Sequence, residues 1–225
     1  MKVSALVMAF WRQYFRGKAV AFQSLAVALF LGLMLDPRFP HDWNEVALLL
    51  SFAVVVLAAL STGFTIWQNA DSKMDILVLK SGRPAYYAAT VLASILVTVF
   101  WIATIGAYLW AAVRIPGGIP AGAMRPLLWS LGGNVLAPVA LFTLFSTLTG
   151  RAIEPYLAAS AVILSLGNFD QEPWRRLAIL LPPLVENARA AAGMGEPQTI
   201  RCLVYAGVVL LLGLWCFMRR EFIWS

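Results

Sequence analysis

QNADSKMDILVLKSGRPAYY, residues 68–87, is the one well-charged interruption in the front half of this chain, and it sits between two long apolar runs. It carries five charges, Asp71, Lys73, Asp75, Lys80 and Arg83, around Met74, Leu77 and Val78, which recur at helical spacing. The pattern predicts a short amphipathic helix over 71–83 at a membrane exit.

The flanking runs set the class. Of 225 residues 61% are hydrophobic and only 12% charged, with a mean hydropathy of +0.79. That is far too apolar for a soluble globular domain. Apolar runs at about 19–35, 46–67, 86–113, 127–149, 153–169 and 203–218 each approach the roughly 20 residues a membrane helix needs. The expectation is an all-α integral membrane protein, one transmembrane domain over 1–225 with six spans. Residues 1–18 have charges and aromatics scattered through them and no small-residue cleavage site follows, so the N-terminus is expected to be retained. Cys202 and Cys216 fall on one predicted helix, about 21 Å apart along its axis, too far to pair there.

A net charge of +6 suggests nucleic acid in a soluble protein; in a membrane chain the positive-inside rule accounts for it, and no nucleic-acid partner is expected. An even span count puts both termini on one side, the cytosol. That face then holds ten basic residues (Lys2, Arg12, Arg16, Lys18, Lys73, Lys80, Arg83, Arg151, Arg219 and Arg220) against four acids, and the other face seven against seven. All four lysines fall inside. The expected location is a bacterial plasma (inner) membrane.

Before the first span, residues 3–17 interleave Leu6, Val7, Phe10, Trp11, Tyr14 and Phe15 with Arg12 and Arg16, and Lys18 follows. This is the signature of a helix lying in the interface with its basic side toward lipid headgroups; as part of the span it would carry those cations into hydrocarbon. On the outer side, DPRFPHDWNE (36–45) reads as a connector, and His41, with no second histidine or thiol near it, as a loop residue. RIPGGIPAGAMRP (114–126) precludes regular structure.

Span four contains Gly132, Gly133, Asn134 and Pro138, where glycines permit close helix approach and proline kinks the helix. Asn134 and Asn168 need partners in hydrocarbon, which leaves two readings: an interhelical hydrogen bond, or the lining of a substrate path. After a short fifth span, 170–201 contains an apolar piece too short to cross, split by Pro182 and Pro183. Two re-entrant outer helices are expected, 174–181 and 184–192. Tryptophans at 11, 43, 67, 110, 129, 174 and 224 fall near span ends, as in an aromatic belt.

No G-x-x-x-x-G-K-[ST] loop, H-E-x-x-H helix, G-x-S-x-G elbow or Cys/His cluster occurs in the sequence. The chain is expected to have no catalytic, cofactor or metal site of its own, and ATP and Mg²⁺ would belong to a partner. Asn69, Asp71 and Asp75 form N-x-D-x-x-x-D, which resembles the first aspartate motif of the membrane prenyltransferases. It lacks that motif's further acid, no second acidic motif lies on the same face, and Lys73 separates the two acids, which favours a solvated helix.

An interfacial helix, six spans, a charged helix between spans two and three, and paired outer helices after a short fifth span together resemble the membrane subunit of an ABC-2 type transporter. DILVLKSGRPAYYAAT (75–90) is similar in form to the family's amphipathic stretch, small or proline-containing turn and tyrosine-bearing start of span three; LLPPLVENARAAAGMG (180–195) resembles its proline-started helix before the last span. The resemblance implies that 71–83 is a coupling helix, with Asp71, Lys73, Met74, Asp75, Leu77, Val78, Lys80 and Arg83 meeting a separate P-loop ATP-binding subunit, present in two copies. The interfacial helix, with Trp11, Arg12, Arg16 and Lys18, would add secondary contacts. A second membrane subunit, identical or paralogous, would complete a path between spans one, two and five. Few ionisable groups in the spans suit a lipidic, amphiphilic or hydrophobic cargo. Two alternatives remain beside the ABC-2 exporter: the haem exporter B subunit of cytochrome c maturation, similar in length and span count, and a Mg²⁺-dependent membrane prenyltransferase.

Overall fold

The structure, a computed structural model, describes residues 3–69, 73–120, 122–146, 159, 161–163, 181–194 and 198–219. Its helices among these are α1 (Val3–Arg16), α2 (Lys18–Met34), α3 (Trp43–Asn69), α4 (Lys73–Ser81), α5 (Arg83–Ala112), α6 (Met124–Leu144), α7 (Leu184–Ala191) and α8 (Thr199–Arg219). The described residues contain no strand. Four helices, α3, α5, α6 and α8, are each long and apolar enough to cross a membrane, with peak hydropathies of 2.4, 2.2, 1.6 and 2.1. The pair α1 and α2, bent by 68°, passes the same test only jointly, which makes up to five.

That is fewer than the six expected, for two reasons. The first expected span corresponds to α2, whose 17 residues rise about 25 Å, short of the roughly 30 Å hydrocarbon core. Of the expected fifth span only 159 and 161–163 are described, all helical, with Val162 buried against Val55, Leu141 and Leu184. Asn168, Asp71 and nearly all of the first expected outer limb lie outside the described residues.

Chain direction alternates through the long helices, so the start of α2, the end of α3, the start of α5 and the end of α8 gather at one end. An Arg83 guanidinium N–H donating to the Met218 carbonyl ties two of these together. At the other end, the His41 N–H donates to the Arg114 carbonyl (3.2 Å) and the Tyr108 hydroxyl to the Leu35 carbonyl (3.3 Å), closing the α2–α3 loop over the end of α5. The basic side chains Arg12, Arg16, Lys18, Lys80, Arg83 and Arg219 belong to the first end. The acids Asp36, Asp42, Glu45 and Glu186 belong to the second, together with Arg38, Arg114, Arg125, Arg189 and Arg201.

In lipid, exchanging tail contacts for helix contacts yields little from apolar burial itself, so close approach and polar pairing decide which helices meet. The α6 helix sits at the centre, packed most extensively on α8 and α3. Gly133 makes this fit possible: a Cβ there would lie 2.7 Å from the Asn187 side-chain nitrogen and 2.9 Å from the Cys202 Cβ. Along α5, the buried hydroxyls of Thr90, Ser94 and Thr98 each donate to the carbonyl one turn back (3.0, 2.9 and 2.8 Å), which satisfies them without a partner helix.

The bent pair is fastened to the bundle by one buried network. Gln23 on α2 accepts from the Tyr14 hydroxyl of α1 and donates to Ser61 Oγ (2.8 Å) and the Leu57 carbonyl (3.3 Å) of α3; Trp101 Nε1 of α5 donates to Tyr14 Oη (2.9 Å). Interhelical bonds of this kind average about 0.6 kcal/mol each in a membrane. This network therefore holds α1, with Leu6, Val7 and Phe10 buried, against the bundle while Arg12 and Arg16 stay exposed.

Candidate functional site

Within the charged stretch 68–87, Lys73–Ser81 fold as the nine-residue helix α4. Its end is chemically marked. Ser81 Oγ donates to the Leu77 carbonyl at 2.5 Å, the Gly82 N–H donates to the Val78 carbonyl at 2.8 Å, and Gly82 then adopts φ 84°, a conformation that costs a residue with a Cβ. Arg83 and Pro84 start α5 immediately, proline being suited to a helix's first turn. The break is thus a rigid corner one residue wide.

Which way α4 faces differs from the simple periodicity argument. Val78 is buried (6% exposed) and Leu77 half-buried, both toward the bundle, whereas Ile76 (54%) and Leu79 (63%) are exposed together with Lys80. Leu77 and Val78, expected to meet the partner, thus turn toward the bundle, and Ile76 and Leu79 are the apolar pair left exposed. The run ILVL is apolar throughout, so spacing alone could not say which pair points inward. Lys73, Met74 and Asp75 open α4. The ends of the N-x-D-x-x-x-D fragment fall on different helices, Asn69 on α3 and Asp75 on α4.

Beyond the corner, α5 is anchored hard. Tyr86 and Tyr87 are buried against Phe217 of α8, with ring centroids at 6.1 and 6.0 Å, and Phe10 of α1 packs edge-on to Tyr86 at 5.4 Å. The Tyr87 hydroxyl donates to the Leu210 carbonyl at 2.9 Å, and it fits because Gly213 has no side chain where the ring tip lies. A force on α4 would therefore pass through Gly82 to α5, and through the paired tyrosines to α8 and α1.

At the opposite end, α7 is an eight-residue helix with Pro183 at its N-cap, close to the expected second limb, and only Glu186 and Arg189 face outward. Its docking centres on Asn187, which is fully buried. The amide nitrogen donates to the Ser130 carbonyl (2.9 Å) and to Asn134 Oδ1 (3.1 Å), the amide oxygen accepts from Thr199 Oγ1 (3.0 Å), and the Asn187 carbonyl accepts from the Ser130 hydroxyl. Asn134 also donates to the Ser51 carbonyl of α3, at 3.5 Å. Asn134 thus has interhelical partners on both sides. Cys202 lies beneath, fully buried, 3.8 Å from the Pro183 carbonyl.

The interfacial-helix residues also find definite places. Trp11 packs tilted against Phe15 (4.7 Å) and edge-on to Phe100 (6.0 Å), and Arg12, Arg16 and Lys18 line a cavity of about 650 Å³ between α1 and the end of α3. Compared with protein-family models, curated proteins and solved structures, the chain matches none. What the fold itself establishes is an all-helical chain compatible with a multi-pass membrane protein.

Proposed function

We propose that this chain is the membrane-spanning subunit of an ABC-2 type exporter in a bacterial inner membrane, with six spans and cytosolic termini. A separate P-loop subunit, in two copies, supplies ATP hydrolysis through α4, and a second membrane subunit completes the path. The observation that carries this reading is the outward apolar pair Ile76 and Leu79 on a short helix whose other side is seated on the bundle. An exposed apolar pair beside Lys80 and Arg83 suits the grip of a soluble partner. The Gly82 corner and the tyrosine anchors would carry the partner's closure into α5 and α8. No Asp, Glu, Lys or Arg is buried among the described residues, which favours a lipidic, amphiphilic or hydrophobic cargo over an inorganic ion.

The test is ATPase activity of the P-loop subunit co-reconstituted with this chain in liposomes. Ile76→Asp/Leu79→Asp is expected to abolish the stimulation while leaving thermal unfolding of the isolated chain unchanged, because both side chains are exposed. Stimulation that survives the double substitution refutes the coupling role of α4.

A further inference from the structure

The cavity between α1 and the end of α3 is lined by Arg12, Arg16 and Lys18, and among the described residues no acid lines it. None of these three cations has an ion-pair partner among the described residues, and all three side chains are exposed. The helix α2 begins in the same place, at Lys18, with Gly17 as an N-cap that makes no side-chain hydrogen bond. Its positive dipole end adds to the cationic field. Gly17 is tightly matched to its surroundings, since the Gln68 amide occupies the position a Cβ would take, and Gln13 Nε2 donates to the Gln68 carbonyl at 2.7 Å. The three cationic residues thus line one cavity beside a closely packed corner of backbone.

What lies next to the cavity gives the ligand its second half. Trp67, 66% exposed, forms its rim. From Lys18 the same face of α2 continues as Phe22, Leu25 and Leu29, exposed by 64%, 58% and 54%, at the spacing that keeps residues on one side of a helix. Phe22 stacks on Phe64 of α3 at 6.4 Å, one turn below Trp67. Farther along this seam α2 and α3, with Ile105 of α5, line an apolar cavity of about 280 Å³ that includes Ala26, Phe30, Leu57 and Leu60. A cationic cup above a membrane-facing aromatic and aliphatic strip has the polarity of an anionic amphiphile.

We infer that Arg12, Arg16 and Lys18 form a binding site for the phosphate headgroup of an anionic lipid, whose tails run down the α2–α3 seam past Phe22 and Leu25. This site is separate from α4 and does not depend on the exporter reading. Guanidinium groups at 12 and 16, one helical turn apart, can share one phosphate, with Lys18 as a point charge beside them.

The experiment titrates the purified full-length chain, in a neutral detergent, with phosphatidylglycerol, phosphatidylcholine and inorganic pyrophosphate, and counts bound molecules by native mass spectrometry. Phosphatidylglycerol is expected to bind in preference to phosphatidylcholine. Each cation near a membrane surface contributes about fivefold, so half-saturation in Arg12→Gln/Arg16→Gln should rise by roughly twenty- to thirtyfold. The decisive variant is Arg12→Gln/Ser4→Arg, which keeps the net charge but moves one cation about 12 Å along α1, to an exposed position. A loss of about fivefold there supports a built site. Unchanged affinity in that variant overturns it, showing that net charge alone is at work. Pyrophosphate binding as tightly as the lipid, with the same dependence on Arg12 and Arg16, overturns the lipid assignment. Unchanged thermal unfolding of each variant keeps these outcomes separate from misfolding.

Discussion

Replacing Asn187 by alanine removes three side-chain hydrogen bonds from the docking of α7: two donated by its amide nitrogen, to the Ser130 carbonyl and Asn134 Oδ1, and one accepted from Thr199. At about 0.6 kcal/mol for each interhelical bond in a membrane, the direct loss is about 2 kcal/mol. The local equilibrium for lifting α7 should then shift by roughly twenty- to thirtyfold. Cys202 offers a built-in reporter, because it is fully buried beneath the Pro183 carbonyl at the start of this helix. In a Cys216→Ser background, the rate of Cys202 alkylation by N-ethylmaleimide should rise by that factor in Asn187→Ala. Thr199→Val, which removes a single bond, should raise it about threefold. The ordering of the two variants is the critical result. If both leave the rate at its wild-type value, or raise it equally and in step with a lowered melting temperature, Asn187 is not what holds α7 down.

Gly213→Ala should destabilise the chain by about 1–3 kcal/mol, measured by thermal unfolding in detergent, because the new methyl group meets the Tyr87 hydroxyl. Tyr87→Phe in the same background removes the oxygen and should recover part of that loss; no recovery would place the clash elsewhere. At the other end of the bundle, the Asp36 carboxylate accepts from the Arg38 side chain, at 2.6 Å for Nη2, and from the Arg38 backbone N–H at 3.0 Å, which holds its pKa down to about 2. A folded pKa below the unfolded value means that this loop's ordering is fully present above about pH 4 and is lost as pH falls toward about 2. Arg38→Gln should move the Asp36 midpoint, followed by carboxyl-carbon NMR, up toward the ordinary range, and an unmoved midpoint would rule out Arg38 as the cause.

Much of the helical layout was legible because hydrophobic runs and breakers act locally. The expected spans at 46–67, 86–113 and 203–218 correspond to Trp43–Asn69, Arg83–Ala112 and Thr199–Arg219. The helices reach past the apolar runs at the start, taking in Glu45, Arg83 and Arg201, because a helix ends where its backbone ladder is broken or capped and not where hydropathy falls. The expected helix over 71–83 instead stops at Ser81, because Gly82 takes a positive φ and Arg83 already belongs to α5. By contrast, α2 reads in the sequence as a full-length span, yet its 17 residues are at the short limit for crossing and it reaches span length only together with α1. At the 68° turn, Gly17 packs against Gln68 from about fifty positions away, a contact that no local pattern announces.

The site divides along the same line. The amino-acid sequence alone determined that α4 exists, that it carries both charge and apolar surface, and that the lysines all fall on one side of the span layout, since composition and 3.6-residue periodicity are properties of neighbouring residues. Only the tertiary structure decided that Val78 faces the bundle while Ile76 and Leu79 face out, that Asn134 is partnered by Asn187 from 53 positions away, and that Gly133 and Gly213, rather than Gly132, are the points of close approach. The physical reason is that in an apolar setting every helix face is acceptable to lipid. Which face turns inward is then fixed by the few places where a small residue admits a neighbour and a polar group finds its partner.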